Sequence, residues 1–152
     1  MNLIEGVLFK NNEYVDVEYI NIRIDNVWLD EKLDELYPDN MYRGLIPTLV
    51  EWMDREDEKA VVWRRILPGK YETTICPVLM CPDENDFSCT LIVAEITNLG
   101  THVRWSKLGV DLSNEWEAEK VGSKVEWFEN VKEMNFEISD YIKMLDNFKE
   151  RL

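Results

Sequence analysis

Hydrophobic runs separated by short polar links recur along the chain. Leu3 to Phe9 and Tyr14 to Ile24 flank the turn-prone segment KNNE and predict an opening hairpin. Three more strand-like runs follow: YETTICPVLM, CTLIVAEIT and HVRWSKLGV. The segment CPDENDFS is a predicted loop between the first two, and NLGT is a predicted turn between the last two. Such short links predict an antiparallel meander, in which the almost wholly apolar segment TLIVAEI is a central strand covered on both faces.

The pattern changes to a helical period in DNVWLDEKLDELYPD. Leu29, Leu33 and Leu36 recur at helical spacing, Asp25 or Asn26 is suited to cap the start, and a proline follows. We therefore expect an amphipathic helix near the N-terminus. Its acidic residues are expected on the solvated side: Asp30, Glu31, Asp34 and Glu35.

The last segment of the chain also has helical spacing. Ser139 is placed to cap a helix, and basic residues fall near its C-terminal end, where the helix dipole is negative. The predicted apolar stripe consists of Tyr141, Ile142, Leu145 and Phe148. We expect this helix to pack on the sheet.

Two segments, residues 45–59 and 124–134, fit either a helix or strands. The Val, Ile and Trp content of the first region favours a hairpin of Leu49 to Met53 and Ala60 to Leu67, with the charged segment DREDEK at its tip. For the second region a strand or a short helical turn is expected.

The elements together predict one α+β domain over residues 1–152. Its sheet is a mostly antiparallel meander, with one helix near the N-terminus and a C-terminal helix packed on it. The length and the 45% hydrophobic content suffice for a core. The sequence contains no repeat, and no linker divides it into two domains.

The charge restricts the choice of partner. The chain has 31 acidic and 17 basic residues, and its net charge is −14. Such a field repels phosphate backbones and anionic membranes and accelerates encounter with cationic surfaces, so neither nucleic acid nor membrane is expected as a partner. The alternative is that the charge only keeps the protein in solution.

The N-terminal residues and the cysteines favour the cytoplasm. The first residues, MNLIEGVLFKNNEY, lack the features of a secretory signal, and no apolar run approaches the roughly 20 residues that span a bilayer. Three cysteines, an odd number, are a poor basis for disulfides and fit a reducing compartment.

The cysteines raise the question of a metal or catalytic site. Cys76, Cys81, Cys89 and the only histidine, His102, form a possible zinc set, but their spacing lacks the tight pairs of structural zinc sites. Cys89, His102 and Asp111 form the one conceivable nucleophilic triad. We instead expect Cys76 and Cys89 to be small buried residues on neighbouring strands, and we predict no catalytic residue, metal or cofactor.

The acidic residues are unevenly distributed. Residues 25–59 hold 11 acids and 4 bases, and residues 83–100 hold 4 acids and no base. Two dense points, DREDEK and DENDF, fall at predicted loop tips, and Trp116 lies in a polar segment suited to an exposed anchor. The predicted partner-binding residues are Asp54, Glu56, Asp57, Glu58, Asp83, Glu84, Asp86 and Trp116.

These observations favour a non-catalytic domain that presents an acidic surface to a basic protein. Bacterial immunity proteins, which occlude the cationic active site of a nuclease-like toxin, are the model for this hypothesis. Two alternatives remain open: a small enzyme or zinc protein using the cysteines and His102, and a structural subunit or scaffold with a Trp-rich interface. The oligomeric state is left open.

Overall fold

The structure is a computed structural model that describes residues 1–10, 15, 17–113 and 117–152. These residues form two antiparallel sheets and three α-helices. The smaller sheet has three strands in sequence order: β1 (Ile4–Phe9), β2 (Tyr19–Ile24) and β3 (Val27–Trp28). Pairing runs from Ile4 with Ile24 to Phe9 with Tyr19, which confirms the opening hairpin. Its connection lies largely outside the described residues.

The larger sheet contains the predicted meander. Its strands follow the order β4 (Ile46–Pro47), β5 (Thr73–Met80), β6 (Ile92–Asn98), β7 (His102–Asp111) and β8 (Val125–Trp127), with β9 (Met134–Glu137) also paired to β7. Strand β6 lies between β5 and β7, and most of its side chains are buried, as its apolar sequence predicts. The ambiguous region 124–134 thus forms strand β8 and a connection to β9.

Helix α1 (Leu29–Leu36) buries Leu29 and Leu33, as predicted, but begins later than expected. Asp25 and Asn26, the predicted caps, instead form the turn between β2 and β3 with positive φ angles of 50° and 68°. Asp30 is also buried, contrary to the prediction, because its Oδ2 accepts a hydrogen bond of 2.9 Å from the Gly44 amide.

Helix α2 (Glu56–Arg65) replaces the predicted hairpin of residues 49–67. Three acids occupy its first turn and two arginines its last turn, which suits the helix dipole. Val61 and Val62 are buried within the helix, and Ile66 is buried at its C-terminal cap. This helical spacing outweighs the strand preference of the valines.

Helix α3 (Ile138–Lys149) packs against both sheets, mainly on β1, with further contacts to β9, β2 and β7. Tyr141, Leu145 and Phe148 are buried as predicted, whereas Ile142 is 42% exposed. Ser139 lies inside the helix and is not its cap. The predicted α+β class, mostly antiparallel with a helix near each end of the chain, is confirmed.

A hydrogen-bonded chain at the centre of the core connects α3 to the end of α2. The Trp105 indole donates to the Tyr141 hydroxyl at 3.2 Å, and that hydroxyl donates to the Ile66 carbonyl at 2.6 Å. Both aromatic side chains are fully buried. The C-terminal end of α2 is therefore held from the core, and its N-terminus lies at the acidic segments described next.

Candidate functional site

Two acidic segments that are distant in sequence meet on one side of the molecule. The Asp54 amide donates a hydrogen bond of 3.1 Å to the Asn85 carbonyl. The Phe87 amide donates one of 3.3 Å to Oε1 of Glu58. The two predicted acidic tips are thus neighbours, and we call their seven acids the acidic surface: Asp54, Glu56, Asp57, Glu58, Asp83, Glu84 and Asp86.

The first segment of the acidic surface is organised by the start of α2. Asp57 accepts a hydrogen bond of 3.0 Å from the Glu58 amide, one of the free donors of the first helical turn. Arg55 donates two more bonds to the same carboxylate, at 3.1 Å and 2.8 Å. These bonds from Arg55 lower the pKa of Asp57, so its carboxylate remains ionised well below neutral pH.

The second segment is the loop that joins β5 to β6. A disulfide between Cys81 and Cys89 closes it, with 5.9 Å between the two Cα atoms. Inside the ring, the Asn85 amide donates to the Cys81 carbonyl at 3.2 Å, and Asn85 has a positive φ of 54°, which asparagine tolerates. The closed loop leaves Asp83 and Glu84 exposed to solvent.

Few cations balance the acidic surface. Arg55 pairs with Asp57 at 2.8 Å, and Lys59 approaches Glu56 at 3.7 Å. Within the residues that the structure describes, neither Asp54 nor the two exposed acids of the loop form an ion pair. The result is a local excess of negative charge, which raises the concentration of cationic groups near it.

Glu58 differs from the other acids because it is only 6% exposed. Burial raises its pKa above the ordinary value for glutamate, and the bond from the Phe87 amide only partly opposes that shift. Glu58 was predicted to contact a partner, but its buried carboxylate instead anchors the loop to α2. This contact keeps the two halves of the acidic surface in place.

A cleft of about 270 Å³ opens beside the acidic surface. Arg55, Glu58 and Asp86 line it together with Asp111 at the end of β7 and Glu117 beyond it. Neither Asp111 nor Glu117 was among the predicted partner-binding residues. The predicted meander could have placed Asp111 here, because the end of β7 lies at the same end of the sheet as the loop between β5 and β6. In the structure, the Asp111 amide donates to the Leu91 carbonyl at 3.0 Å, next to the disulfide loop. The predicted anchor Trp116 lies outside the described residues.

The structure does not bring the four residues of the zinc alternative together. Cys81 and Cys89 bond to each other, while Cys76 is buried in β5 against α2, where its thiol donates to the Val62 carbonyl at 3.6 Å. The nucleophilic triad is not assembled either. His102 begins the ten-residue strand β7 and Asp111 ends it, so the two residues lie about 30 Å apart at 3.3 Å per residue. In the described part of the chain no group of three or more His, Cys, Asp or Glu residues is arranged to hold a metal ion.

Two expectations about the cysteines need correction. Cys76 is buried, as predicted, but Cys89 is exposed and lies in the loop, outside any strand. The odd number of cysteines also failed as an argument against a disulfide, because one cysteine is enclosed in the core and the other two pair. The three cysteines therefore do not indicate a reducing compartment.

Comparison of the chain with protein-family models, with curated proteins and with solved structures finds no match. Among the described residues, no helix is both long and apolar enough to cross a membrane.

Proposed function

We propose that this chain is a non-catalytic binding domain that captures a basic protein through the acidic surface. The observation that supports this function is the hydrogen bond from the Asp54 amide to the Asn85 carbonyl, which brings the two acidic segments side by side. Nucleic acids and anionic membranes carry the same sign of charge as this surface. A cationic protein is the complementary partner.

The arrangement suits fast capture. Exposed carboxylates at the start of α2 and in the disulfide loop create an attractive field ahead of contact, which raises the association rate at low salt. The carboxylates are held on a helix and a closed loop, so little conformational entropy is lost when they meet a partner. Binding itself is expected to occlude the partner's cationic site.

We further propose that the chain acts in the bacterial cytoplasm as an immunity-type inhibitor of a nuclease-like toxin. A nuclease active site must attract phosphate and is therefore cationic, which makes it a natural counterpart for a dense group of carboxylates. This role is supported by the sign and position of the charge. It requires no catalytic group on this chain.

Affinity capture from the source cells with a charge-matched pair of variants tests the function. In the first variant four of the exposed acids of the surface are neutralised: Asp54→Asn, Glu56→Gln, Asp83→Asn and Glu84→Gln. In the control, four exposed acids outside both segments are neutralised: Asp39→Asn, Asp146→Asn, Glu35→Gln and Glu129→Gln. Both variants have the same net charge.

We expect the wild type and the control to retain a basic protein at low salt and release it at high salt, and the first variant to retain far less. The association rate measured with the purified partner should fall on the order of tenfold in the first variant alone. Equal losses in both variants would show that only the total charge matters. Capture of an acidic or salt-insensitive partner would equally contradict the function.

A further inference from the structure

The disulfide loop connects the proposed binding surface to thiol chemistry. The loop lies outside the sheet, because the pairing of β5 with β6 ends at Leu79 and Ile92. The Cys81–Cys89 bond closes the chain at this point. Asp83, Glu84 and Asp86 all lie within the ring it forms. We propose that Cys81–Cys89 is a reversible thiol–disulfide exchange site that takes a dithiol reductant, and that its oxidised form assembles the acidic surface.

Access favours Cys89 as the sulfur that is attacked. Cys89 is exposed, whereas Cys81 is half-buried, with its Sγ 3.8 Å from the Thr90 carbonyl oxygen. A thiolate of the dithiol attacks the Cys89 Sγ, and Cys81 leaves as a thiolate that takes a proton from water. The second thiol of the reductant then attacks the mixed disulfide and releases Cys89. Two electrons pass to the protein, and the reductant becomes a disulfide.

The third cysteine does not compete in this exchange. Cys76 is 0% exposed, and its Sγ lies 3.6 Å from the Val62 carbonyl oxygen inside the core. Burial also raises the pKa of the Cys76 thiol far above its usual range, so the reactive thiolate is absent there. Thiol chemistry in the folded protein is thereby confined to the pair in the loop.

Opening the ring is expected to loosen the acidic surface and leave the core intact. Without the disulfide, the loop is held to α2 by the bonds from the Asp54 and Phe87 amides, at 3.1 Å and 3.3 Å. These bonds then have to oppose the conformational entropy of a free loop. In a cytosolic protein such a pair is typically transient and redox-sensing. The effect on binding rests on the proposed function, whereas the exchange site itself does not.

The first experiment uses the folded wild type with dithiothreitol as reductant and iodoacetamide as label. The oxidised protein should take up no label, and the reduced, still folded protein should take up two labels, on Cys81 and Cys89. Amide hydrogen exchange of the same samples should show loss of protection at Asp54 and Phe87 on reduction. Amides of β6 should stay protected and serve as the internal control.

Variants separate the outcomes. The Cys81→Ser, Cys89→Ser double variant should reproduce the reduced state, and the reduced wild type takes its place if that variant fails to fold. Cys76→Ser should exchange like the wild type; if it fails to fold, the positions of the two labels on the reduced wild type show which cysteines react. The exchange site is refuted if the pair resists reduction until the protein unfolds, or if the purified protein holds three free thiols that do not pair in oxidised glutathione. Unchanged protection at Asp54 and Phe87 would refute its coupling to the acidic surface.

A defined cationic probe distinguishes this inference from the proposed function. A synthetic oligolysine peptide should bind the oxidised wild type more tightly than the reduced wild type. It should bind the variant with Asp54, Glu56, Asp83 and Glu84 neutralised, the four-acid variant, weakly in both redox states. If labelling and protection change as expected but the peptide does not discriminate among these proteins, the exchange site stands and the proposed function fails. If the peptide prefers the wild type over the four-acid variant in both redox states equally, the function stands and the redox coupling fails.

Discussion

The buried carboxylate of Glu58 accepts a hydrogen bond from the Phe87 amide, 29 residues further along the chain. This contact fastens the disulfide loop to the first turn of α2. It places an ionisable group of low exposure at the junction of the two acidic segments. The charge state of Glu58 should therefore be measurable as a change in stability.

Glu58→Gln should make the protein more stable at neutral pH. Burial raises the pKa of Glu58 in the folded state, so the folded protein binds this proton at a pH where the unfolded chain has already released it. The free energy of unfolding therefore falls as pH rises from the ordinary glutamate pKa through the raised one, and the penalty is complete above it. Glutamine keeps an acceptor for Phe87 without that penalty.

Urea unfolding of both proteins over a pH series checks this expectation. The advantage of the variant should shrink as the pH falls through the raised pKa. Glu56→Gln, an exposed acid two residues away, provides the control for the change in total charge and should show a smaller pH-dependent difference. A stability difference at position 58 that does not vary with pH would contradict the assignment.

Tyr141→Phe should destabilise the core by about 1–3 kcal/mol, because it leaves two buried polar groups without their partner. The hydroxyl of Tyr141 donates to the Ile66 carbonyl at 2.6 Å and accepts from the Trp105 indole at 3.2 Å. Urea denaturation measures the loss. Tyr71→Phe removes a hydroxyl from a side chain that is 71% exposed and should change stability by no more than about 0.5 kcal/mol. Equal effects at the two positions would be inconsistent with this hydrogen-bonded chain.

The β5–β6–β7 meander could be predicted because its signals are local. In the NLGT turn, Gly100 has a φ of 86°, and its amide donates to the Asn98 side chain at 2.9 Å. Both residue types are the ones that such a turn requires. The continuous apolar sequence of β6 likewise predicted its central position.

Helix α2 was missed because residue preference and helical spacing disagree there. Val61 and Val62 favour a strand when taken alone, yet Glu58, Val61 and Val62 share the buried face of a helix whose ends carry suitable charges. Tertiary packing decides such cases.

The seven acids of the acidic surface were found from the sequence, but neither their meeting nor the two further acids of the adjacent cleft, Asp111 and Glu117, were. The Asp54–Asn85 contact joins segments with no local pattern in common. The same holds for the disulfide, since three cysteines do not reveal which two will pair. Glu58 was predicted to be exposed like its acidic neighbours. Its burial could not be predicted from those neighbours, because it depends on the contact with Phe87, 29 residues away.

Gly109→Ala should destabilise the protein by about 1–3 kcal/mol, since a side chain there overpacks the edge of the sheet. An added Cβ at this position would lie 2.6 Å from the Glu126 carbonyl oxygen and 2.9 Å from the Trp127 Cα. These are backbone atoms of β8 and cannot move independently of the strand. Faster hydrogen exchange in β8, with a lower urea midpoint, is the expected result.

Gly69→Ala is the control for this substitution. An added Cβ at Gly69 would meet only the carboxyl end of the flexible Glu72 side chain, at 3.1 Å. The control should be milder than Gly109→Ala in both measurements. If the two variants lose the same stability, close packing of β8 against β7 is not the cause.

Arg65→Lys should cost about 1–3 kcal/mol, because a lysine cannot reproduce the guanidinium contacts and leaves carbonyls without donors. Arg65 is half-buried at the end of α2 and donates to three backbone carbonyls: Ile75 at 3.2 Å, Val121 at 2.8 Å and Glu119 at 2.8 Å. It thereby joins the helix to β5 and to the short 3-10 helix Ala118–Lys120.

Arg64→Lys is the matched control, since the neighbouring arginine is exposed and pairs only with the Glu119 carboxylate among the described residues. Exposed ion pairs contribute little, so this variant should unfold close to the wild type. Urea unfolding, combined with amide hydrogen exchange of α2, compares the two. Because α2 carries three of the seven acids of the acidic surface and begins two residues after Asp54, Arg65→Lys should also lower the protection of the Asp54 amide. If Arg65→Lys also unfolds close to the wild type, the positive charge, and not the three carbonyl contacts, stabilises this end of the helix.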